Sequence, residues 1–445
     1  MTATTERGAP DTGVVPTTRH GRHLTAIGLG AWVALVVVGR VWGLRVVRDA
    51  PEPLYVDAVP FYGVWKLRVS PALIIAAIVA AACVAVLPWA ARRLGWVALC
   101  AAVMISAVGL SLALGAVEPP PDTWQNIHGD YGRYVPFVEE QGLGGFLRDY
   151  TERQQHYPTH LSAHPPGMTV LLWAEDRLGL GGTGGEVGLA MLGVAAAAAA
   201  VLVALREVAG EARARAAAAF VVVAPAAVWH TNADVVFGGI ALSGLALVVL
   251  ATGRAGRSSK GWALAGGALL GAAMLFSHGL ALMAVAVVPV VVARRRWGVA
   301  AWAGAGAVAA LALPFAWGYS WLAGLLATKD VYDDNLARVR PYGYFVVGNL
   351  VAFAVAVGPA TAVALARLRH RGTWLLVGGG LAAVALADLS GLSLAETERI
   401  WQPFMPLVLV AGGVLALESG RRGRGWLALQ AATTIALVAF LRSPW

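Results

Sequence analysis

Residues 24–44 read LTAIGLGAWVALVVVGRVWGL, an apolar run with a single charge, Arg40, that follows Arg19 and Arg22. About 20 such residues are needed for a helix to cross the hydrocarbon layer, so this stretch predicts a transmembrane helix. It is too long for the apolar core of a secretory leader, and no small-x-small cleavage pattern follows it, so the helix is expected to remain uncleaved. Residues 1–20 ahead of it are polar, rich in Thr, Gly and Pro, and expected to be disordered.

Outward from that run the same pattern repeats. Apolar segments fall near 24–44, 70–89, 94–115, 186–206, 213–230, 234–252, 260–276, 279–293, 298–318, 342–366, 373–389, 401–417 and 424–442, about thirteen in all. Composition agrees: 13% of the 445 residues are charged and 58% hydrophobic, with a mean hydropathy of +0.67. A soluble domain carries about a quarter charged residues, so lipid must solvate much of this chain. The expected class is an all-α polytopic membrane protein. Residues 21–115 would form N-terminal transmembrane helices, 116–185 a loop carrying the chemistry, and 186–445 a transmembrane helical body. Gly304, Gly306 and the run Gly378 to Gly380 read as close helix packing.

The net charge of +9 sits in short clusters between apolar runs. That distribution marks membrane orientation and argues against nucleic acid. With the N-terminus in the cytoplasm, every short inner connection is basic: Arg92/Arg93, Arg206/Arg213/Arg215, Arg254/Arg257/Lys260, Arg294 to Arg296, Arg367/Arg369/Arg371 and Arg421/Arg422/Arg424. The opposite face then receives 45–69, 116–185, 319–341, 390–400 and tight turns near 231–233 and 277–278. Residues 165–180 are apolar but contain Glu175, Asp176 and Arg177, and counting them as a span would invert every later loop. They are expected to form an amphipathic helix on the outer surface. Two cysteines, Cys83 and Cys100, both in apolar runs, exclude a disulfide framework. No Gly-rich phosphate loop, zinc-ligand spacing, G-x-S-x-G or HExxH occurs.

The polar residues of the outer loops form an ordered set. First comes His128-Gly-Asp130-Tyr131-Gly-Arg133-Tyr134, a carboxylate among aromatics just after a membrane exit, with Trp124 upstream. Next is Tyr157-Pro-Thr-His160-Leu-Ser-Ala-His164-Pro165-Pro166-Gly167, where consecutive prolines fix φ and Pro166 can open the following helix. His230-Thr-Asn232-Ala-Asp234 places an acid at a membrane boundary, where it is costly and tends to be functional or paired; capping by Asn232 or Asp234 is equally permitted. Ser277-His278-Gly279 breaks two spans at the same face. Asp330, Asp333, Asp334, Arg338 and Arg340 read as solvated charge. Finally, Glu396-Thr-Glu398-Arg399-Ile-Trp401-Gln402-Pro403 sets a guanidinium against the positive-inside trend. It suits bidentate contact with a phosphate, although snorkelling to headgroups would also explain it.

Taken in order, these motifs over residues 116–442 resemble the GT-C superfamily of membrane glycosyltransferases, which includes protein O-mannosyltransferases and the aminoarabinose transferases of lipid A. Asp130-Tyr131-Gly-Arg133-Tyr134 stands where the family has a D-E-x-x-Y-like motif, and His164-Pro165-Pro166 where it has a K-P-P-like turn. Asp234 matches the family's outer Asp, Ser277-His278-Gly279 its T-K-G-like turn, and Arg399 with Pro403 its late basic residue and proline. Three spans rather than one precede the motif loop, Tyr131 replaces the usual second acid, and His164 replaces the Lys.

The resemblance implies inverting transfer of a hexose or pentose from a polyprenyl-phosphate donor to a cell-envelope glycan, lipid or protein acceptor, on the extracytoplasmic side of a bacterial plasma membrane. It implies Asp130 as general base, oriented by a neighbour such as His128, and Asp234 as the residue that orients hydroxyls. Arg399, His278 and His164 would hold the donor phosphate, and Tyr131, Tyr134, Trp124 and His128 the sugar. A divalent cation is the one cofactor the family pattern raises, and Tyr131 in place of an acid leaves it open. Asp49, Glu52 and Asp57 in the 45–69 loop offer a rival location for the base. A transporter or lipid flippase is the alternative from another class, and it predicts ionisable groups lining a path across the bilayer.

Overall fold

The computed structural model describes residues 19–118, 124–334, 336–417 and 421–445. The N-terminal segment expected to be disordered lies, up to residue 18, outside the described residues. The chain is an all-α polytopic membrane protein. Among the described residues the strands are limited to Val64–Trp65 and Leu441–Arg442, paired antiparallel.

Among those residues eight helices are long and apolar enough to cross a bilayer: Gly21–Asp49, Pro71–Arg93, Trp96–Gly115, Thr183–Ala209, Ala233–Thr252, Trp297–Trp317, Arg371–Leu389 and Thr397–Leu417. Their starts follow local chemistry. Ser70 accepts a hydrogen bond from the Leu73 backbone N–H at 3.2 Å, and Pro71 occupies the first turn, where its missing N–H costs nothing. Ile74, Ile75, Ile78, Val97 and Ile105 project outward from their helices, a surface only lipid can cover.

The expected count of thirteen spans is not reached, for reasons visible in the sequence. The run 342–366 is not one continuous helix: Tyr342–Val357 and Pro359–Arg367 meet at a 94° bend. Gly358 there has φ +82° and Pro359 cannot donate to the helix ladder; counted as one broken span, the pair makes nine. Residues 213–230 divide into the 12-residue helix Glu211–Val222 and a 3₁₀ turn at Pro225–Trp229, the helix rising only ~18 Å at ~1.5 Å per residue. Gly256–Met274 opens on Arg257, Ser258, Ser259 and Lys260, and the helix Arg421–Phe440 is diluted by Gln430, Thr433 and Thr434. His278–Ala293 is apolar but short. The helix predicted within 165–180 is present as Gly167–Arg177, eleven residues long and too short to span.

The connections sort to two ends of the bundle. At one end Arg215 Nη1 donates to the carbonyls of Ala91 and Leu94, and Arg294 Nη1 donates to Glu207 and Thr252 at 2.8 Å each. Gly372 sits there against the Val208 carbonyl, which draws the 367–372 connection into the same basic end. At the other end Arg340 donates to the carbonyls of Leu54 and Leu394. Gln402 Nε2 donates to Trp229 O at 2.8 Å, and Gly167 N–H donates to Leu275 O at 3.0 Å. The polar motifs converge at this second end.

Candidate active site

Asp234 enters the site through a helix start. The Asn232 side chain accepts from the Asp234 backbone N–H at 2.9 Å and donates to Trp229 O at 2.8 Å. The capping role thus falls to Asn232, and the Asp234 carboxylate is left for another partner. That partner is Arg399, whose Nη1 lies 2.9 Å from Asp234 Oδ2 with both side chains buried. Arg399 does not snorkel. Its Nη2 meets Glu396 Oε2 at 2.8 Å, while Nε is buried with no hydrogen-bond partner.

Glu396 is itself held from behind. Arg340 Nη1 lies 3.5 Å from its other oxygen, so a residue read as solvated charge is buried in the network. Ala395 and Glu396 both have positive φ, +74° and +60°, a conformation that costs energy in non-glycine residues. The turn is secured by Asn349, which donates to Ser393 O and accepts from Ala395 N–H, and by the Tyr332 hydroxyl, which accepts from Leu394 N–H.

Asp130 ends the short helix Asn126–Asp130. His160 Nε2 lies 3.0 Å from Asp130 Oδ1. His128 points elsewhere: its Nδ1 is 3.2 Å from Glu186, so the neighbour expected to orient Asp130 is replaced by one thirty residues on. Residues i and i+2 of a helix do not share a face. Burial pushes the Asp130 carboxyl up to about 6; Arg399 opposes this and the charges of Asp234 and Glu396 add to it. Burial, Arg399 and His164 drive the His160 ring down to about 2. The ring beside the Asp130 carboxyl is therefore neutral.

The His160–Gly167 turn is fixed on both sides. The Tyr150 hydroxyl donates to Leu161 O at 2.7 Å and to His164 O at 3.0 Å. A Cβ at Gly167 would lie 2.3 Å from Leu275 O, so only glycine lets this turn dock on the 275–278 turn. His164 Nδ1 then lies 3.3 Å from Phe276 O, and burial holds its ring below the usual histidine range. Both ring nitrogens of His278 are buried without a hydrogen-bond partner, and the ring packs on Trp321 at 5.2 Å.

Tyr131 is buried among His160, His164 and Phe237, with edge contacts at 5.7, 5.9 and 6.4 Å. It wedges the Asp130 loop against the Asp234 helix. Tyr134 is buried against Phe137 with Arg133 over its ring. Trp124, partly exposed, lies against Gly115 at the exit of the third span. In the rival loop, Asp49, Glu52 and Asp57 are exposed and Asp49 pairs with Arg48.

No family model matches this chain, and no curated protein sequence matches it. Among solved structures it is similar to the crystal structure of ArnT from Cupriavidus metallidurans in the apo state, at 18% identity and a TM-score of 0.40. The similarity covers 62% of this chain and 54% of that one, so the chain spans about half the length of that protein.

An apolar slot opens from the polar cluster. Asp234, His230 and Gln402 line it together with Ala107, Val194, Val222, Leu242 and Leu409. Its cavity volume is about 40 Å³, room for a few water molecules. The donor set does not suit a resident divalent cation. Asp130 is engaged by His160, and the neighbouring position supplies the buried phenol of Tyr131. Among the described residues no three His, Cys, Asp or Glu side chains are grouped to hold a metal. Two members of the network, His160 and Glu396, carried no role in the sequence reading, although each stands inside a motif quoted for its neighbours.

Proposed function

We propose that this protein is a membrane glycosyltransferase of the GT-C kind, moving a sugar from a polyprenyl-phosphate donor to an acceptor hydroxyl with inversion. The observation that carries the reading is the half-buried acid Asp130 beside His160, together with the buried ion pair of Arg399 and Asp234, at one end of a helix bundle and beside an apolar slot. A lipid phosphate has this same division into an anionic head and an apolar tail.

In this reading Asp130 takes the proton of the acceptor hydroxyl as its oxygen attacks the anomeric carbon. The bond from that carbon to the phosphate oxygen breaks, and the phosphate leaves with the electron pair. Asp130 with a pKa near 6 is ionised at neutral pH yet basic enough to help, which is the balance base catalysis favours. The unpartnered Arg399 Nε, with His164 and His278 nearby, stabilises the charge that grows on the leaving phosphate. Asp234 orients hydroxyls and holds Arg399. Trp124 supplies an accessible ring for the sugar, and Tyr131 holds the two halves of the site together.

The positive-inside pattern places the basic end in the cytoplasm and this site outside, at the surface of a bacterial plasma membrane, where the acceptor is a component of the cell envelope. The direct test is to reconstitute the full chain in bilayers and incubate it with a panel of radiolabelled polyprenyl-phosphate sugars and envelope acceptors. Transfer from one donor that disappears in Asp130→Asn supports the reading. A folded, inserted Asp130→Asn variant with full transfer activity removes its centre.

A further inference from the structure

The segment 439–445 brings an aromatic ring into the site from a stretch that carries no polar motif. Leu441 and Arg442 pair with Trp65 and Val64. The backbone N–H groups of Lys66 and Arg68 donate to Phe440 O and Ala439 O at 2.8 Å each. Gly63, at φ +139°, allows the approach, since a Cβ there would lie 2.2 Å from Arg442 O. Arg68 and Arg442 both engage Glu118. Residues 439–445 are thereby fixed against 62–68.

Held in this way, the Trp445 ring lies 4.3 Å from the Arg399 guanidinium carbon and 5.0 Å from the Tyr62 ring. Its buried indole nitrogen faces the buried Glu398 carboxyl. The ring is therefore held by Arg399 and Tyr62 and, at its edge, by Glu398. A guanidinium presents all five N–H donors in its own plane, so an aromatic ring on its face competes with none of them. Two of those donors serve Asp234 and Glu396, and the Nε–H is unused.

We propose that Trp445, backed by Tyr62, is a positioning residue that fixes the plane of Arg399 and so aims its unused donors at the phosphate of a polyprenyl phosphate. This rests on the reading of Arg399 as the anion-binding group. A ring on the guanidinium face also strips water from the cation, which strengthens its attraction for an anion.

The test uses the full chain in nanodiscs titrated with decaprenyl phosphate, with decaprenol as the uncharged control. Trp445→Ala is expected to weaken decaprenyl phosphate binding about tenfold and to leave decaprenol binding unchanged. Trp445→Phe, which keeps a ring on the guanidinium, restores most of the loss. Tyr62→Leu, which removes only the backing ring, gives a smaller loss in the same direction and serves if Trp445→Ala does not fold. Arg399→Lys separates the two levels. If it weakens phosphate binding while Trp445→Ala and Tyr62→Leu do not, the positioning role is overturned and the anion-binding reading stands. If Arg399→Lys also binds as the parent does, the reading of Arg399 falls and the proposal with it. Equal loss of decaprenol and decaprenyl phosphate in Trp445→Ala and Trp445→Phe assigns the ring a purely structural role and overturns the proposal.

Discussion

A carboxyl that burial holds near 6 changes charge over the range in which most cells live, and the sign of its effect on rate can be worked out. If Asp130 is the base, it must be ionised to accept a proton. Transfer activity should then rise with pH through a limb centred near 6 and reach a plateau above it. Asp130→Asn should lower the rate by about 10²–10⁴-fold, the usual worth of a positioned base, with insertion unchanged. His160→Ala removes the neutral ring that stands 3.0 Å from the Asp130 carboxyl and helps to bury it, so the carboxyl is better hydrated, its pKa falls and the limb moves to lower pH; a pH profile that keeps its midpoint would deny His160 this role. Arg399 is tested through stability. Arg399→Gln leaves the buried Asp234 carboxylate without its cation, while Glu396 keeps Arg340, and should cost about 3–5 kcal/mol, read as a lower unfolding midpoint in detergent. Asp234→Asn combined with Arg399→Gln should recover part of that loss, because no buried charge is then stranded at that position.

The helices carry these residues to one place, and the packing that does so depends on missing side chains. A Cβ on Gly239 would lie 2.6 Å from the Gly193 Cα, and one on Gly193 would lie 2.3 Å from Val235 O. The helices Thr183–Ala209 and Ala233–Thr252 thus touch backbone to backbone one residue from Asp234, as small residues allow in lipid. Gly193→Leu should push the second helix away and displace Asp234 from Arg399. Loss of transfer with a lowered unfolding midpoint is expected, whereas Gly188→Leu, at a position with open space, should be neutral in both. At this scale the spans were legible wherever a run of the right length was apolar throughout, as in Pro71–Arg93, which continues through Pro88, and Trp96–Gly115. Hydropathy hid the turn at Gly358–Pro359, since a window average does not register a single positive φ followed by a missing donor. The site was legible one residue at a time. Asp130, Asp234 and Arg399 stood out as charges at membrane boundaries, and the structure places them in one electrostatic cluster. Their partners did not stand out. His160 faces Asp130 across thirty residues while His128 turns to Glu186, and Trp445 sits in a stretch with no polar signal. Such contacts depend on tertiary closure, which local spacing does not encode.

The whole molecule has two chemically different ends, and its relation to the membrane follows from which of them faces the cytoplasm. The basic end gathers Arg206, Arg215, Arg254 and Arg294 around shared carbonyls and acids. The other end holds the buried acids, the aromatic loop and the slot. Short basic loops are retained on the cytoplasmic side during insertion, so residues of the site end should be reachable from outside intact cells. The two native cysteines are buried or half-buried within helices and can be replaced by alanine to give a silent background. Glu152 and Arg257 are exposed at opposite ends. Glu152→Cys should react with a membrane-impermeant maleimide on intact spheroplasts, and Arg257→Cys only after permeabilisation. The reverse labelling would put the site in the cytoplasm. A donor whose sugar is presented on the outer leaflet could then not reach Asp130, and the transfer reaction would need a donor presented on the inner leaflet.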